Sequence, residues 1–161
     1  MSVAVQSYIT SEPIDLAAFL ARGHHPAAGG LVLFSGEVRD HNHGRAVTSL
    51  EYEAHGPLAD KTMARILADA RQRWELHHAD CMHRVGPVAI GESAVVVVTA
   101  SAHRDAAYAA NRYIIDRIKF EVPLWKKEHF ADGTSEWSKG CSHDHEHDHG
   151  PDHNHDHDHG H

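Results

Sequence analysis

Cysteine is scarce in this chain and is never paired at a functional spacing. Among the 161 residues are only Cys81 and Cys141, and neither belongs to a CxxC motif. A disulfide framework, a zinc knuckle and a dithiol redox centre are therefore excluded, and a reducing compartment is expected. Cys81 falls in a predicted strand, where the role of a buried apolar residue is favoured over that of a nucleophile.

Long apolar runs and targeting signals are absent as well. No run reaches the roughly 18 apolar residues of a membrane span. The N-terminal segment MSVAVQSYITSEP has neither a basic region nor a long apolar core. We therefore expect no membrane span and no signal peptide, and we expect the protein to be cytoplasmic.

Several catalytic signatures are missing. The sequence contains no GxxxxGK[ST], no GxGxxG after a strand, no HExxH and no GxSxG. Nucleotide hydrolysis, dinucleotide redox chemistry, zincin chemistry and serine hydrolysis therefore lack their parts. Lysine chemistry on an anionic substrate remains.

Charge is concentrated at the C-terminus. The formal net charge is −8, and six of these negative charges lie in the last twenty residues, which leaves a nearly neutral body. A neutral body gives no basis for nonspecific nucleic-acid binding, which needs clustered Lys and Arg. We predict one domain over residues 1–140, large enough for its own core, and a His- and Asp-rich tail over 141–161.

Apolar periodicity predicts two main helices. Apolar residues at three- and four-residue steps indicate a helix from Pro57 to Trp74 and another from Arg104 to Glu121. Pro123 must end the second helix, because proline lacks the backbone N–H and disfavours helical geometry in the preceding residue. A shorter helix, capped within 11–15, should end near residue 22.

Apolar alternation predicts the strands. Runs at 31–39, 47–54, 79–85 and 93–101 read as strands, and the first two are expected to form one long hairpin around the polar loop 40–45. A short edge strand is expected at 3–7, turns within 86–91, and a terminal hairpin around Asp132 and Gly133. The predicted class is therefore α+β, with a mixed, largely antiparallel sheet and two main helices.

Two lysines flank the predicted helix break. Lys119 precedes Pro123 and Lys126 follows it, so both amines can converge on one corner of the fold. Trp125 adds a planar surface beside them, and this combination fits an anion-binding pocket. The alternative is that each lysine is an ordinary surface cation, which is the usual role of a lone lysine.

Other cations are candidates for the same ligand. His103 and Arg104 begin the helix that Lys119 ends, so a rise of 1.5 Å per residue separates Arg104 from Lys119 by about 22 Å. One small ligand cannot touch both on one subunit, which indicates an extended substrate or a second subunit. Arg39, close after Gly36 in a predicted strand, is a further candidate, with a simple strand-end cation as the alternative.

Two histidines in the polar loop raise the question of a metal. His41 and His43 lie in the segment DHNHG. No third ligand occurs at a comparable spacing, and a polar loop accounts for both residues. We therefore assign no metal site within the body of the chain.

Five ordered segments carry a family resemblance: FSGEVRDHNHG, LEYEAH, HRVGPVAIGE, SAHRDAAYAA and IDRIKFEVPLWKKE. Together they resemble the large, catalytic subunit of molybdopterin synthase, the MoaE family, over roughly Gly29 to Trp137. The resemblance implies an α/β hammerhead-type fold and a homodimer. It also implies a small ubiquitin-like sulfur-carrier subunit at each end, which completes a heterotetramer.

The resemblance also implies a reaction. The C-terminal glycine of the small partner carries a thiocarboxylate, and two sulfurs pass in turn to cyclic pyranopterin monophosphate to form the dithiolene of molybdopterin. No cofactor is required. The sulfur comes from outside this chain, which agrees with its lack of a reactive cysteine.

Site roles follow from the resemblance residue by residue. Lys119 and Lys126 match the catalytic lysines at the thiocarboxylate, with Lys119 as proton donor or transient nucleophile. Glu37 is expected to face the ligand with its backbone, because a carboxylate would repel phosphate. Arg39, His103 and Arg104 match residues that hold the anionic pterin phosphate, and Lys127 and Glu128 flank the same pocket. The implied substrate-binding residues are Glu37, Val38, Arg39, His103, Arg104, Lys119, Lys126, Lys127 and Glu128.

The C-terminal part departs from the family pattern. Relatives often place a basic residue shortly after the terminal tryptophan, and whether Lys139 supplies that cross-subunit charge here stays open.

The tail has a composition that cannot form a core and is expected to be disordered without metal. Its imidazoles can bind divalent Ni, Zn, Co or Cu weakly and nonspecifically. These histidines are His143, His145, His147, His149, His153, His155, His157, His159 and His161. The alternative function is therefore a metal-binding or buffering protein that acts through its tail.

Overall fold

The computed structural model of the chain describes residues 7–139. The predicted strand at 3–7, the domain boundary at 140 and the predicted disordered tail fall wholly or largely outside the described residues. In chain order the elements are β1 (Ile9–Thr10), α1 (Leu16–Gly23), β2 (Gly30–Glu37), β3 (His41–Asn42), β4 (Arg45–Ala54), α2 (Gly56–Arg73), β5 (His78–Arg84), β6 (Gly86–Ala89), β7 (Ser93–Ser101), α3 (Arg104–Glu121), β8 (Leu124–Phe130) and β9 (Ser135–Lys139).

A four-stranded sheet with the order β1-β5-β7-β2 forms the centre of the fold. β1 is parallel to β5, and the other neighbours are antiparallel. Every residue of β7 is buried, because helices cover both faces of this strand. Val95 and Val97 face the cluster that includes Ile66 of α2 and Ile114 of α3. The alternate valines of β7 pack on Phe19 of α1, as the two-residue period of a strand requires.

The second sheet has the order β3-β4-β8-β9, with β6 also paired to β4. The predicted hairpin of 31–39 with 47–54 is wrong, since β2 pairs with β7 and β4 pairs with β6 and β8. The apolar β2 gains a buried neighbour in the valine-rich β7, which outweighs the short connection to β4. The expected loop and turns at 40–45 and 86–91 contain the short strands β3 and β6.

The helices follow the sequence closely. α3 spans Arg104–Glu121 as predicted, and α2 begins with Pro57 in its first turn. α1 is capped by Asp15, whose carboxylate accepts a hydrogen bond from the backbone N–H of Ala18 at 3.1 Å. The α+β class with a mixed sheet and two main helices is confirmed. Within residues 7–139, no helix is both long enough and apolar enough to span a bilayer.

Candidate active site

Lys119 lies in the last turn of α3, where it contributes to the walls of three cavities. The cavities have volumes of about 80, 590 and 510 Å³. The smallest is lined by core side chains together with the exposed Glu37 and Lys119. The largest is an apolar groove, and the third is lined mainly by charged and polar side chains. Lys119 therefore stands at the junction of three different chemical environments.

The cavity of about 510 Å³ gathers cations from four elements or connections. Arg39 follows β2, Arg45 begins β4, Lys119 lies in the last turn of α3 and Lys126 lies on β8. The predicted convergence of Lys119 and Lys126 is present, because Pro123 ends α3 and the chain turns directly into β8. Several cations around one concave surface can hold an anionic ligand.

A buried carboxylate lies beside Lys126. Glu128 is 8% exposed, and its Oε1 lies 3.9 Å from Nζ of Lys126. Asn42 of β3 donates hydrogen bonds from Nδ2 to both carboxylate oxygens, at 3.0 and 2.9 Å. All three side chains line the cavity of about 510 Å³.

The rim of this cavity is held by the β8–β9 hairpin. The Arg45 guanidinium donates to Glu136 at 3.0 Å and to Thr134 at 2.8 Å, and it lies 3.5 Å from the centre of the Phe130 ring. Because its charge is already engaged by Glu136, Arg45 fixes the wall of the cavity and contributes less to the binding of an anion than its formal charge indicates.

The small cavity of about 80 Å³ places a buried imidazole near Lys119. Nδ1 of His83 lies 2.7 Å from the carbonyl oxygen of Arg84. A carbonyl only accepts, so Nδ1 carries the proton and Nε2 is the acceptor. Burial, together with the nearby Lys119 charge, lowers the pKa of His83 to about 4. The imidazole is therefore neutral at pH 7 and adds no positive charge beside the lysine.

Tyr52 completes the wall of the small cavity. Its ring meets the His83 ring edge-on, with centroids 4.8 Å apart. Burial raises the pKa of Tyr52 to about 12, with a further contribution from the Glu128 carboxylate, so the phenol stays protonated. Sequence reasoning missed both residues as site components, although His83 begins the segment HRVG and Tyr52 lies in LEYEAH.

The groove of about 590 Å³ is apolar and leads to Lys119. It lies between α3 and β2, which is the last strand in the order of the central sheet. Its lining includes Val32, Phe34 and Tyr108, of which Phe34 is 37% and Tyr108 is 63% exposed. An extended apolar chain segment fits such a groove beside a strand at the sheet edge.

Two candidate residues lie at the other end of α3. His103 is the N-cap residue of this helix and Arg104 is its first residue, whereas Lys119 is in the last turn. Neither His103 nor Arg104 is among the residues that line the three Lys119 cavities. Within one chain, His103 and Arg104 therefore lie away from the cavities that Lys119 lines.

The remaining candidates have distinct positions. Lys127 lies on the other face of β8 from Lys126, with Nζ 5.6 Å from the centre of the Trp137 ring. The Val38 side chain is buried. Its backbone N–H donates a hydrogen bond to the carbonyl of Glu92, and its carbonyl accepts one from the N–H of Gly91. Glu37 lines the small cavity and accepts a hydrogen bond from Ser35 Oγ at 3.1 Å.

Within residues 7–139, no group of three or more His, Cys, Asp or Glu side chains is arranged to hold a metal ion.

Comparison with known proteins identifies the family. The family model described as "MoaE protein" matches residues 9–121. The chain belongs to the MoaE family. The molybdopterin synthase catalytic subunit of Bacillus subtilis is 43% identical over 129 residues, covering 80% of this chain and 82% of that protein. The catalytic subunit of Staphylococcus carnosus is 42% identical, covering 82% of this chain and 87% of that protein.

A solved MoaE-family structure shares the fold. The crystal structure of molybdopterin synthase from Staphylococcus aureus matches with a TM-score of 0.77 and 38% identity, covering 82% of this chain and 96% of that one. This match confirms the fold that the sequence resemblance implied.

Proposed function

We propose that this chain is the sulfur-transferring catalytic subunit of a cytoplasmic molybdopterin synthase. Two sulfurs pass in turn from the C-terminal thiocarboxylate of a small ubiquitin-like subunit to cyclic pyranopterin monophosphate, which becomes the dithiolene of molybdopterin. The observation that carries this proposal is the position of Lys119, which lines both the apolar groove and the cation-lined cavity. Membership of the MoaE family supports the same assignment.

The two larger cavities suit the two reactants. The extended C-terminus of the small subunit enters along the apolar groove beside β2, which has room for a chain segment and apolar walls. The anionic pterin phosphate lies in the cavity lined by Arg39, Lys119 and Lys126, because cations and phosphate attract strongly in a partly desolvated site. The thiocarboxylate and the acceptor carbon then meet at Lys119.

Each sulfur transfer needs an acid or nucleophile at the acyl carbon. The thiocarboxylate sulfur bonds to a carbon of the pterin substrate as a carbon–oxygen bond at that carbon breaks and the oxygen leaves, which joins the two reactants through a thioester. Water then attacks the acyl carbon, the acyl C–S bond breaks, and a carboxylate is restored on the small subunit while the sulfur stays on the pterin. Lys119 acts there as a proton donor or as a transient nucleophile, while Lys126 stabilises the negative charge that develops.

The proposal is tested by molybdopterin formation. The purified full-length chain, a thiocarboxylated small subunit and cyclic pyranopterin monophosphate are mixed, and the product is quantified for wild type and Lys119→Ala. Lys61→Ala, at an exposed lysine of α2, is the matched control. We expect product from wild type and Lys61→Ala and a loss of at least about 100-fold in Lys119→Ala. Unimpaired turnover by folded, partner-bound Lys119→Ala would remove the role assigned to this lysine.

We also propose that two copies of this chain share each site within a heterotetramer. His103 and Arg104 lie at the opposite end of α3 from Lys119, so a second copy is the source of these phosphate-binding cations. Complementation tests this arrangement. Lys119→Ala and Arg104→Ala chains, each inactive alone, are unfolded together, refolded and assayed. Random pairing should restore about a quarter of the wild-type rate, whereas sites contained in single chains would restore none.

The tail supports a second, separate activity. Its nine histidines alternate mostly with acidic residues, and neutral imidazoles are good ligands for Ni²⁺, Zn²⁺, Co²⁺ and Cu²⁺. We propose that the tail binds such ions. Calorimetric titration with Ni²⁺ should show binding to the full chain and none to a variant with all nine tail histidines changed to Gln. That variant should keep wild-type sulfur transfer. If it loses all activity instead, the tail would be the functional element and the body its scaffold.

A further inference from the structure

Asn42 forms a close polar contact with the carboxylate next to Lys126. Its Nδ2 lies 3.0 and 2.9 Å from the two carboxylate oxygens of Glu128. A carboxylate only accepts hydrogen bonds, so the amide nitrogen must face it. The contact is partly buried and joins β3 to β8, two strands that do not pair with each other.

A tight turn holds Asn42 in place. β3 and β4 are joined through His43 and Gly44, whose φ angles are 49° and 75°, and Asn42 pairs with Arg45 across the turn. Two successive positive φ angles define the hairpin turn that matches the twist of paired strands. A positive φ is uncommon for residues other than glycine, although histidine adopts it more often than most of them. The turn therefore fixes the backbone that carries Asn42.

Glu128 and Lys126 do not form a close ion pair. A well-formed ammonium–carboxylate hydrogen bond has an N···O distance of about 2.7–2.9 Å, but Nζ of Lys126 lies 3.9 Å from Oε1 of Glu128. Both carboxylate oxygens already accept from Asn42. Glu128 therefore balances the charge of Lys126 without binding the ammonium closely, and Lys126 lines the cavity that it shares with Lys119.

We propose that Asn42 is a positioning residue for the sulfur-transfer reaction. It occupies the carboxylate of Glu128 so that the Lys126 ammonium is presented to the anionic reactant and does not close a direct ion pair with Glu128. Asn42 acts through Glu128 and does not need to touch the reactants. This inference rests on the proposed function and names a further residue of the same site.

A double-mutant cycle in the molybdopterin assay tests this role. Asn42→Ala in the full-length chain should lower kcat about 10-fold, with little change in the KM for the thiocarboxylated partner. Asn42→Asp keeps the size of the side chain but replaces the donor with an acceptor, and it should lose at least as much. In a Glu128→Gln background, Asn42→Ala should cause no further loss, because a residue that acts only through Glu128 is silent once the carboxylate is removed.

A matched control separates this role from a loss of stability. Thr48→Ala removes a hydrogen bond from Thr48 Oγ1 to the carbonyl of His129, in the same sheet but at an exposed position, and it should keep the wild-type kcat. Equal losses from Asn42→Ala in the wild-type and Glu128→Gln backgrounds would overturn the positioning role. Wild-type activity in Asn42→Ala would also overturn it. Failure of the wild-type chain itself would instead reject the proposed function.

Discussion

Lys126 and Lys127 are adjacent in the chain and face opposite sides of the β4–β8–β9 sheet. Lys126 lines the cavity of about 510 Å³ together with Lys119. Lys127 pairs with Trp137 across β8 and β9, and its ammonium lies 5.6 Å from the centre of that ring. The two-residue period of a strand separates them, although both belong to the same short basic segment.

These two lysines should therefore differ in function. We expect Lys126→Ala to lower molybdopterin formation by about 100-fold, because it removes a cation from the reacting groups. Lys127→Ala should retain turnover within about threefold of wild type, since it loses a cation–π contact of modest energy on the outer face. Steady-state assays of molybdopterin formation by both variants test this difference. Equal losses of turnover in the two variants would show that Lys127 also reaches the reactants.

The apolar groove should govern the affinity for the small subunit. Phe34→Ala removes an aromatic side chain from its wall, and we expect the Kd for the small subunit to rise about 10-fold. The rate at saturating partner should change little, because Lys119 and Lys126 are untouched. Leu58→Ala, at an exposed leucine of α2, is the control for a general loss of apolar surface. An unchanged Kd in Phe34→Ala would place the docking surface elsewhere.

Gly30 should control the position of Arg104. A Cβ at residue 30 would lie 2.9 Å from the Arg104 Cα and 3.0 Å from its backbone nitrogen, so the start of α3 would have to move away from β2. We expect Gly30→Ala to cost about 1–3 kcal/mol of stability and to raise the KM for the pterin substrate. Gly56→Ala, where an added Cβ meets nothing within 4 Å, should be neutral or stabilise by up to about 1 kcal/mol. Chemical unfolding of both variants measures the contrast.

His83 should make stability depend on pH in a defined range. Its folded-state pKa of about 4 lies below the ordinary value of 6.5, so the unfolded chain binds the proton more tightly. The neutral His83 imidazole therefore makes its full contribution to the free energy of unfolding above pH 6.5. This contribution is lost as the pH falls from 6.5 to 4, by roughly 3 kcal/mol at most. Urea unfolding between pH 7 and pH 4 should show a steeper loss in wild type than in His83→Gln. Parallel pH profiles would exclude a buried neutral imidazole.

Local signals account for what was predictable. The bounds of α3 follow from the apolar spacing of Ile114 and Ile118 and from Pro123, all of which act within a few residues. The same proline predicted that Lys119 and Lys126 would meet at one corner. The terminal hairpin likewise follows from the turn at Asp132 and Gly133.

Strand pairing was not predictable in the same way. Only the short β3 separates β2 from β4 in the sequence, yet β2 and β4 belong to different sheets. Strand pairing is decided by the apolar surface that each strand buries against distant partners. Asn42 and His83 were missed for a related reason. Asn42 is a polar loop residue until β8 places Glu128 beside it, and His83 is an ordinary strand residue until Lys119 approaches from α3.

The sequence by itself determined the fold class, the two long helices and the family, because these depend on local periodicity, on proline and on ordered motifs. Only the tertiary structure decided which face each lysine takes and which neutral side chains surround Lys119. It also decided that Asn42 engages Glu128 while His103 and Arg104 lie at the far end of α3. These relations join residues that are distant in the chain, and long-range packing sets the distances between their atoms.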